Sequence, residues 1–174
     1  MFIQIEDPDE IASKIDEIAG DFSFLLDQEI STDTALIKVG HLGVSNLNKC
    51  WQQKLTGIYE GQIPNINFKY KEIKLSPNQA IFEMLYPYTD KDLRGMNFPS
   101  KAEKNRYCKK KLLEMVEAFL NKVSKILGNP SKVWHRINRK SGKEHDFFRD
   151  YYRMELDELF LEFPNYILML EVGI

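Results

Sequence analysis

Residues 99–130 read PSKAEKNRYCKKKLLEMVEAFLNKVSKILGNP, and the rest of the chain is organised around this stretch. The pattern predicts one helix of about 27 residues, about 40 Å long at a rise of 1.5 Å per residue. Ser100 is placed as the N-cap, its hydroxyl accepting from the amide three residues on while Glu103 reaches back to complete a capping box. Gly128 supplies the left-handed residue that closes the last turn, and Pro130 forbids continuation. Between these signals Cys108, Leu112, Met115, Val116, Phe119, Leu120, Val123, Ile126 and Leu127 recur at three- and four-residue steps. They form one apolar stripe that has to be buried. The first half of the helix is basic: Lys101, Lys104, Arg106, Lys109, Lys110 and Lys111 crowd the end where the helix dipole is already positive. Helix stability alone does not choose that arrangement. It calls for an anion, an acidic part of this chain or an acidic partner nearby.

The formal net charge of -2 conceals a strong segregation. Residues 1–34 hold ten acidic and one basic side chain, a balance of -9, whereas residues 101–145 hold thirteen basic and four acidic, +9. Residues 35–100 stand at +3 and residues 146–174 at -5. The chain is therefore acidic at both ends and basic in its third quarter, an asymmetry that needs a physical account.

With 174 residues, 43% of them hydrophobic and 29% charged, the composition is that of an ordinary globular chain, expected to fold as one domain. No apolar run approaches the roughly 20 residues of a membrane span. The N-terminal MFIQIEDPDE has neither the basic nor the long apolar region of a secretory signal. Two cysteines, Cys50 and Cys108, are expected as reduced thiols in a cytoplasmic protein.

Asp7, Pro8 and Glu10 open a first helix, with Ile11, Ala12, Ile15, Ile18 and Ala19 at helical spacing and Gly20 as its expected end. The alternation of Phe22, Phe24 and Leu26 then favours a strand over 21–30, and Ala35, Ile37 and Val39 a second one closed by Gly40. Ser45 is placed to cap a short helix carrying Leu47, Cys50, Trp51 and Leu55. Ile66, Phe68 and Tyr70 alternate as a strand, and the shift to Ile73 and Leu75 suggests a bulge. Ser76 and Pro77 begin another helix, with Ile81, Met84 and Leu85 inward and Pro87 as its stop. After the long helix, Val133 to Asn138 is expected to pair with residues from Phe147 onward around a turn at Ser141 and Gly142. At the C-terminus, strands are favoured over a helix. One turn is expected at Asp157 and Glu158, and a hairpin joins Leu159–Phe163 to Tyr166–Val172 across Pro164 and Asn165. The fold class is α+β: a mostly antiparallel sheet, rich in C-terminal strands, packed on one long central helix with two or three shorter helices.

Chemistry is sparse. No His or Cys pair stands at the short spacings of zinc sites, so neither a metal nor any other cofactor is expected. Ser141, His145 and Asp146 are close in sequence, but a triad converges in space, and a serine in SGK is ordinarily a turn residue. Cys50 with His41 reads more simply as a packing thiol, and HLGVSN and LTGIYEG lack the spacing of phosphate-binding loops. No catalytic residues are assigned.

What remains is binding. An acidic surface of Glu155, Asp157, Glu158 and Glu162, with Tyr152, Tyr151 and Phe160 as aromatic anchors, suits a basic partner protein. On size and charge alone, immunity and antitoxin proteins that neutralise a basic toxin are a comparable class. The alternative surface is basic, comprising Lys101, Lys104, Arg106, Lys109, Lys110, Lys111 and Arg136, and would take nucleic acid. A small hydrolase with an unrecognised site is the third reading.

Overall fold

The structure, a computed structural model, describes residues 7–30, 36–43, 47, 69–89, 96–136 and 156–173. In chain order these form α1 (Pro8–Ile30), β1 (Leu36–Gly43), β2 (Tyr70–Ile73), α2 (Pro77–Leu85) running into a 3-10 turn at Tyr86–Tyr88, α3 (Lys101–Leu127), β3 (Lys132–Arg136), β4 (Leu156–Glu162) and β5 (Ile167–Gly173). The class is α+β. The described strands make one antiparallel sheet in the order β1-β5-β4-β3-β2.

α3 is the spine that the sequence predicts. The Ser100 hydroxyl accepts from the Glu103 amide at 3.2 Å, and Gly128, at φ 85°, donates its amide to the Ser124 carbonyl. Cys108, Leu112, Val116, Phe119, Leu120, Val123 and Leu127 are buried along one side. A side chain at Gly128 would combine an unfavourable φ with contact on the Pro164 ring at 3.4 Å. Gly128→Ala is therefore expected to lower stability by about 1 kcal/mol, read as a shift of the urea midpoint. Ser100→Ala should cost about 1 kcal/mol through loss of the cap.

α1 departs from the sequence reading in its second half. It runs through Gly20 to Ile30 as one helix, so the strand expected over 21–30 does not form. Ile11, Ile15, Ala19, Phe22 and Leu26 are buried at steps of three and four, continuing one stripe past Gly20, whereas Phe24 points to solvent. The apparent alternation arose because Phe22 and Leu26, four apart, share the inner face. Phe22 stacks on Phe119 at 4.5 Å between ring centres, and Glu29 lies 3.7 Å from Lys111. Seven residues forward on α1 thus correspond to eight back on α3, so the two helices run antiparallel.

α2 begins where Ser76 accepts from the Gln79 amide at 3.2 Å, with Pro77 in the first turn, and buries Ala80, Ile81, Phe82, Met84 and Leu85. One face of the sheet, bearing Val133, Leu159, Leu161, Phe163, Leu168 and Leu170, joins the inner faces of α1, α2 and α3 in a single hydrophobic cluster. The other face is buried as well, at Phe160, Ile167 and Met169.

β2 runs from Tyr70 to Ile73 in unbroken register with β3, so the bulge expected there is absent. Tyr70 and Ile73 look to opposite sides because both sides have something to receive them. Ile73 packs on the helix-side core, and the Tyr70 ring sits edge-on to Phe160 at 5.2 Å. β1 carries its irregularity between Val39 and His41 and continues beyond Gly40 to Gly43. β4 passes straight through Asp157 and Glu158 in continuous register with β5, so no turn forms at those residues. The β4–β5 hairpin closes across Pro164 and Asn165 as expected, with the Phe163 amide donating to the Tyr166 carbonyl at 2.8 Å. β3 has β2 on one side and β4 on the other. The turn expected at Ser141 and Gly142, and the helix expected after Ser45 apart from the helical Leu47, lie outside the described residues.

Candidate docking surface

The expected acidic surface on the C-terminal strands is not an open one where the structure describes it. Glu158 is buried, and its Oε2 accepts from Arg136 Nε at 3.0 Å with the two side chains only 2% and 6% exposed. The carboxylate of Glu162 accepts from Trp134 Nε1 at 2.8 Å, and the Lys132 ammonium lies over the same indole. Asp157 occupies a β4 register position opposite Val172. Tyr151, Tyr152 and Glu155 lie outside the described residues, and Phe160 is core. Glu158 and Arg136 are therefore structural charges on the second face of the sheet. Their row continues to Glu171, also buried, which faces Glu158 across β4 and β5 and lies opposite Lys38 in the β1 register.

The expected basic surface divides. Lys109 extends over the Tyr86 ring at 5.4 Å, toward the end of α2, while Lys111 reaches Glu29 on α1. Of the remaining cations, Arg106 and Lys110 are four residues apart on one face of α3 and Lys101 and Lys104 three apart on another, and Glu103, Glu114 and Glu117 are exposed among them. Lys101, Arg106 and Lys110 are exposed and have no ion-pair partner among the described residues. Lys104 lines an open concavity of about 530 Å³ at the start of α3 with Phe98, Ser100 and Lys101. The acidic end of α1 meets the basic half of α3 at Lys111, and this contact sets an acidic helix C-terminus beside a basic helix N-terminal half.

The coherent charged face lies on the outside of α1. This helix carries Asp9, Glu10, Asp16, Glu17, Asp21, Asp27 and Glu29 against a single lysine, Lys14. All seven carboxylate residues are exposed. Lys14 pairs with Glu10 at 3.7 Å and Lys111 with Glu29, leaving Asp9, Asp16, Glu17, Asp21 and Asp27 without an ion-pair partner among the described residues. Asp27 and Glu29 stand at the helix C-terminus, where the dipole disfavours negative charge, so helix stability does not account for them. Phe24 is 64% exposed on this outer face, with Leu25 beside it at 45%. Asp21 and Asp27 lie three residues to either side of Phe24, and Gln28 four residues on, so these residues form its immediate rim.

This face was missed in the sequence because 21–30 reads as a strand, which scatters Glu17, Asp21, Phe24 and Gln28 over two sides. The signal that finds it is the 11, 15, 19, 22, 26 stripe, which fixes the opposite side as outward.

A cleft of about 260 Å³ lies between α2 and the sheet, walled by Ile73, Ala80, Met84 and Leu159, with Glu83, His135 and the paired Arg136 and Glu158 as its ionisable lining. It is smaller than the usual small-molecule site. The Glu83 carboxylate already accepts from Gln79 at 2.7 Å. Among the described residues, no three His, Cys, Asp or Glu side chains converge on a metal position. At the adjoining edge of the sheet, the hydrogen bond from Lys74 holds the Glu72 carboxyl below its ordinary range, with the Lys74 and Lys132 charges adding to the effect and burial opposing it. No helix among the described residues is long and apolar enough to cross a membrane. Comparison with known proteins finds no matching family model, no similar curated protein and no similar solved structure.

Proposed function

We propose that this chain is a non-catalytic protein-binding module of the immunity or antitoxin kind, which meets a basic partner protein on the acidic outer face of α1. The observation that supports the reading is a helix with five exposed carboxylates unpaired among the described residues, two of which, Asp21 and Asp27, flank an exposed phenylalanine. Such a face steers a cationic surface to a fast encounter and gives it an aromatic group to close on. If the partner is a nuclease toxin, the same carboxylates occupy the cationic site that otherwise receives phosphate. Two cysteines in a chain of this length, one of them the buried Cys108 of α3, suit a reducing compartment, and the proposal places the module in the cytoplasm.

The test is affinity capture from the source cells with the wild-type chain and with a variant carrying Asp16→Asn, Glu17→Gln, Asp21→Asn and Asp27→Asn. The reading expects a basic protein that is captured by the wild type, released by salt and lost from the variant. A partner retained in full by the variant would contradict it. These substitutions sit on an exposed face and leave the fold intact, so unchanged thermal unfolding is expected alongside.

A further inference from the structure

We propose that Phe24 and Leu25 anchor a cationic polypeptide segment bearing apolar side chains between its Lys and Arg residues, laid along the outer face of α1. The inference rests on the docking reading above and specifies the chemistry of what docks. A lone exposed phenyl ring on a protein surface is ordinary. Here the ring is followed directly by an exposed leucine, and carboxylates lie in the turns before and after it. An apolar centre inside a charged rim is the layout of a recognition surface.

The backbone beside Phe24 is shaped for close approach. Gly20 sits one turn before Phe24, inside the helix and exposed, and a Cβ built there meets nothing within 4 Å. Packing within the chain thus does not require a glycine at this position, and a glycine in mid-helix is unfavourable relative to alanine. The resulting notch lets another backbone lie against α1 next to the phenyl ring. The sign of the surrounding charge selects the occupant. Asp16, Glu17, Asp21 and Asp27 repel nucleic acid and acidic peptides and attract ammonium and guanidinium groups, while Phe24 and Leu25 contribute only if the segment brings apolar side chains with its charge.

The test uses the full chain and two synthetic peptides of equal length and equal positive charge, one with Leu between its Lys residues and one with Ser. Affinities are read by titration calorimetry at low and moderate salt. The Leu peptide should bind the wild type more tightly than the Ser peptide. Phe24→Ser should weaken the Leu peptide by about tenfold and leave the Ser peptide unchanged. Leu113→Ser, which removes the exposed apolar side chain of α3, should leave both peptides unchanged. The anchor is overturned if Phe24→Ser has no effect on the Leu peptide, or if Leu113→Ser weakens it instead. In either case the broader docking reading still stands if Asp21→Asn with Asp27→Asn weakens the Ser peptide. If those carboxylate changes weaken neither peptide, the docking reading itself fails. Phe24 is largely solvent-exposed, so its replacement does not endanger folding, and a circular dichroism melt of each variant verifies this.

Discussion

Replacing Arg136 by Met is expected to destabilise the protein by about 3 to 5 kcal/mol, the cost of taking one member out of a buried ion pair. Arg136 and Glu158 meet at 3.0 Å on the second face of the sheet, both almost wholly removed from solvent, and Glu171 lies directly across from Glu158. Arg136→Met takes from Glu158 the guanidinium that donates to its Oε2. The pair holds β3 and β4 in register more than it supplies net stability, because desolvation offsets most of its attraction. Arg136→Met combined with Glu158→Leu should therefore be more stable than Arg136→Met alone. Urea unfolding of the wild type, the two single variants and the double variant completes the cycle. A double variant as unstable as the sum of the singles would show that the two side chains do not act as a pair.

Phe119→Ala is expected to cost about 3 to 5 kcal/mol, a loss felt by both long helices. Phe119 is buried on α3, and its ring stacks on Phe22 with 13° between planes. Truncation removes the apolar area of one ring, the stacking of the pair and the filling of the space between α1 and α3. Phe22→Ala should show a loss of similar kind, and the double variant less than the sum, since each single variant already breaks the stack. Gly20→Ala, by contrast, should raise stability by about 0.5 to 1 kcal/mol, because the position is helical, exposed and open.

How much of this was legible in the sequence follows from which signals were local. α3 and α2 could be read from their caps: Ser100, Gly128, Ser76 and Pro77 each act within a few residues. The β4–β5 hairpin was legible for the same reason, with Pro164 and Asn165 between two apolar runs. The second half of α1 reads as a strand because the three-residue alternation of Phe22, Phe24 and Leu26 masks a five-residue helical stripe that crosses Gly20. Glycine lowers helix propensity without forbidding the helix, and burial of Phe22 and Leu26 decided the outcome.

Glu158 reads as a surface carboxylate for a tertiary reason. Glu158, Phe160 and Glu162 share one face of β4, and a mixed face of this kind reads as solvated. The run Ile167, Leu168, Met169, Leu170 held the missing information. An unbroken apolar strand is covered on both faces, so its neighbour β4 is covered on both faces too, and a glutamate there needs a buried partner. That partner, Arg136, lies 22 residues away in sequence and outside any local pattern.

The C-terminal carboxylates are engaged within the sheet where the structure describes them. The α3 lysines diverge, two of them held by Tyr86 and Glu29. α1 presents its carboxylates on one continuous outer face with Phe24 among them. The most direct measurement of the account is an amide chemical-shift map of the protein titrated with the Lys/Leu peptide. The largest shifts are expected to cluster at Glu17, Asp21, Phe24, Leu25 and Gln28. Shifts confined to the start of α3 around Lys101 and Lys104, or to the cleft around Glu83 and His135, would contradict it.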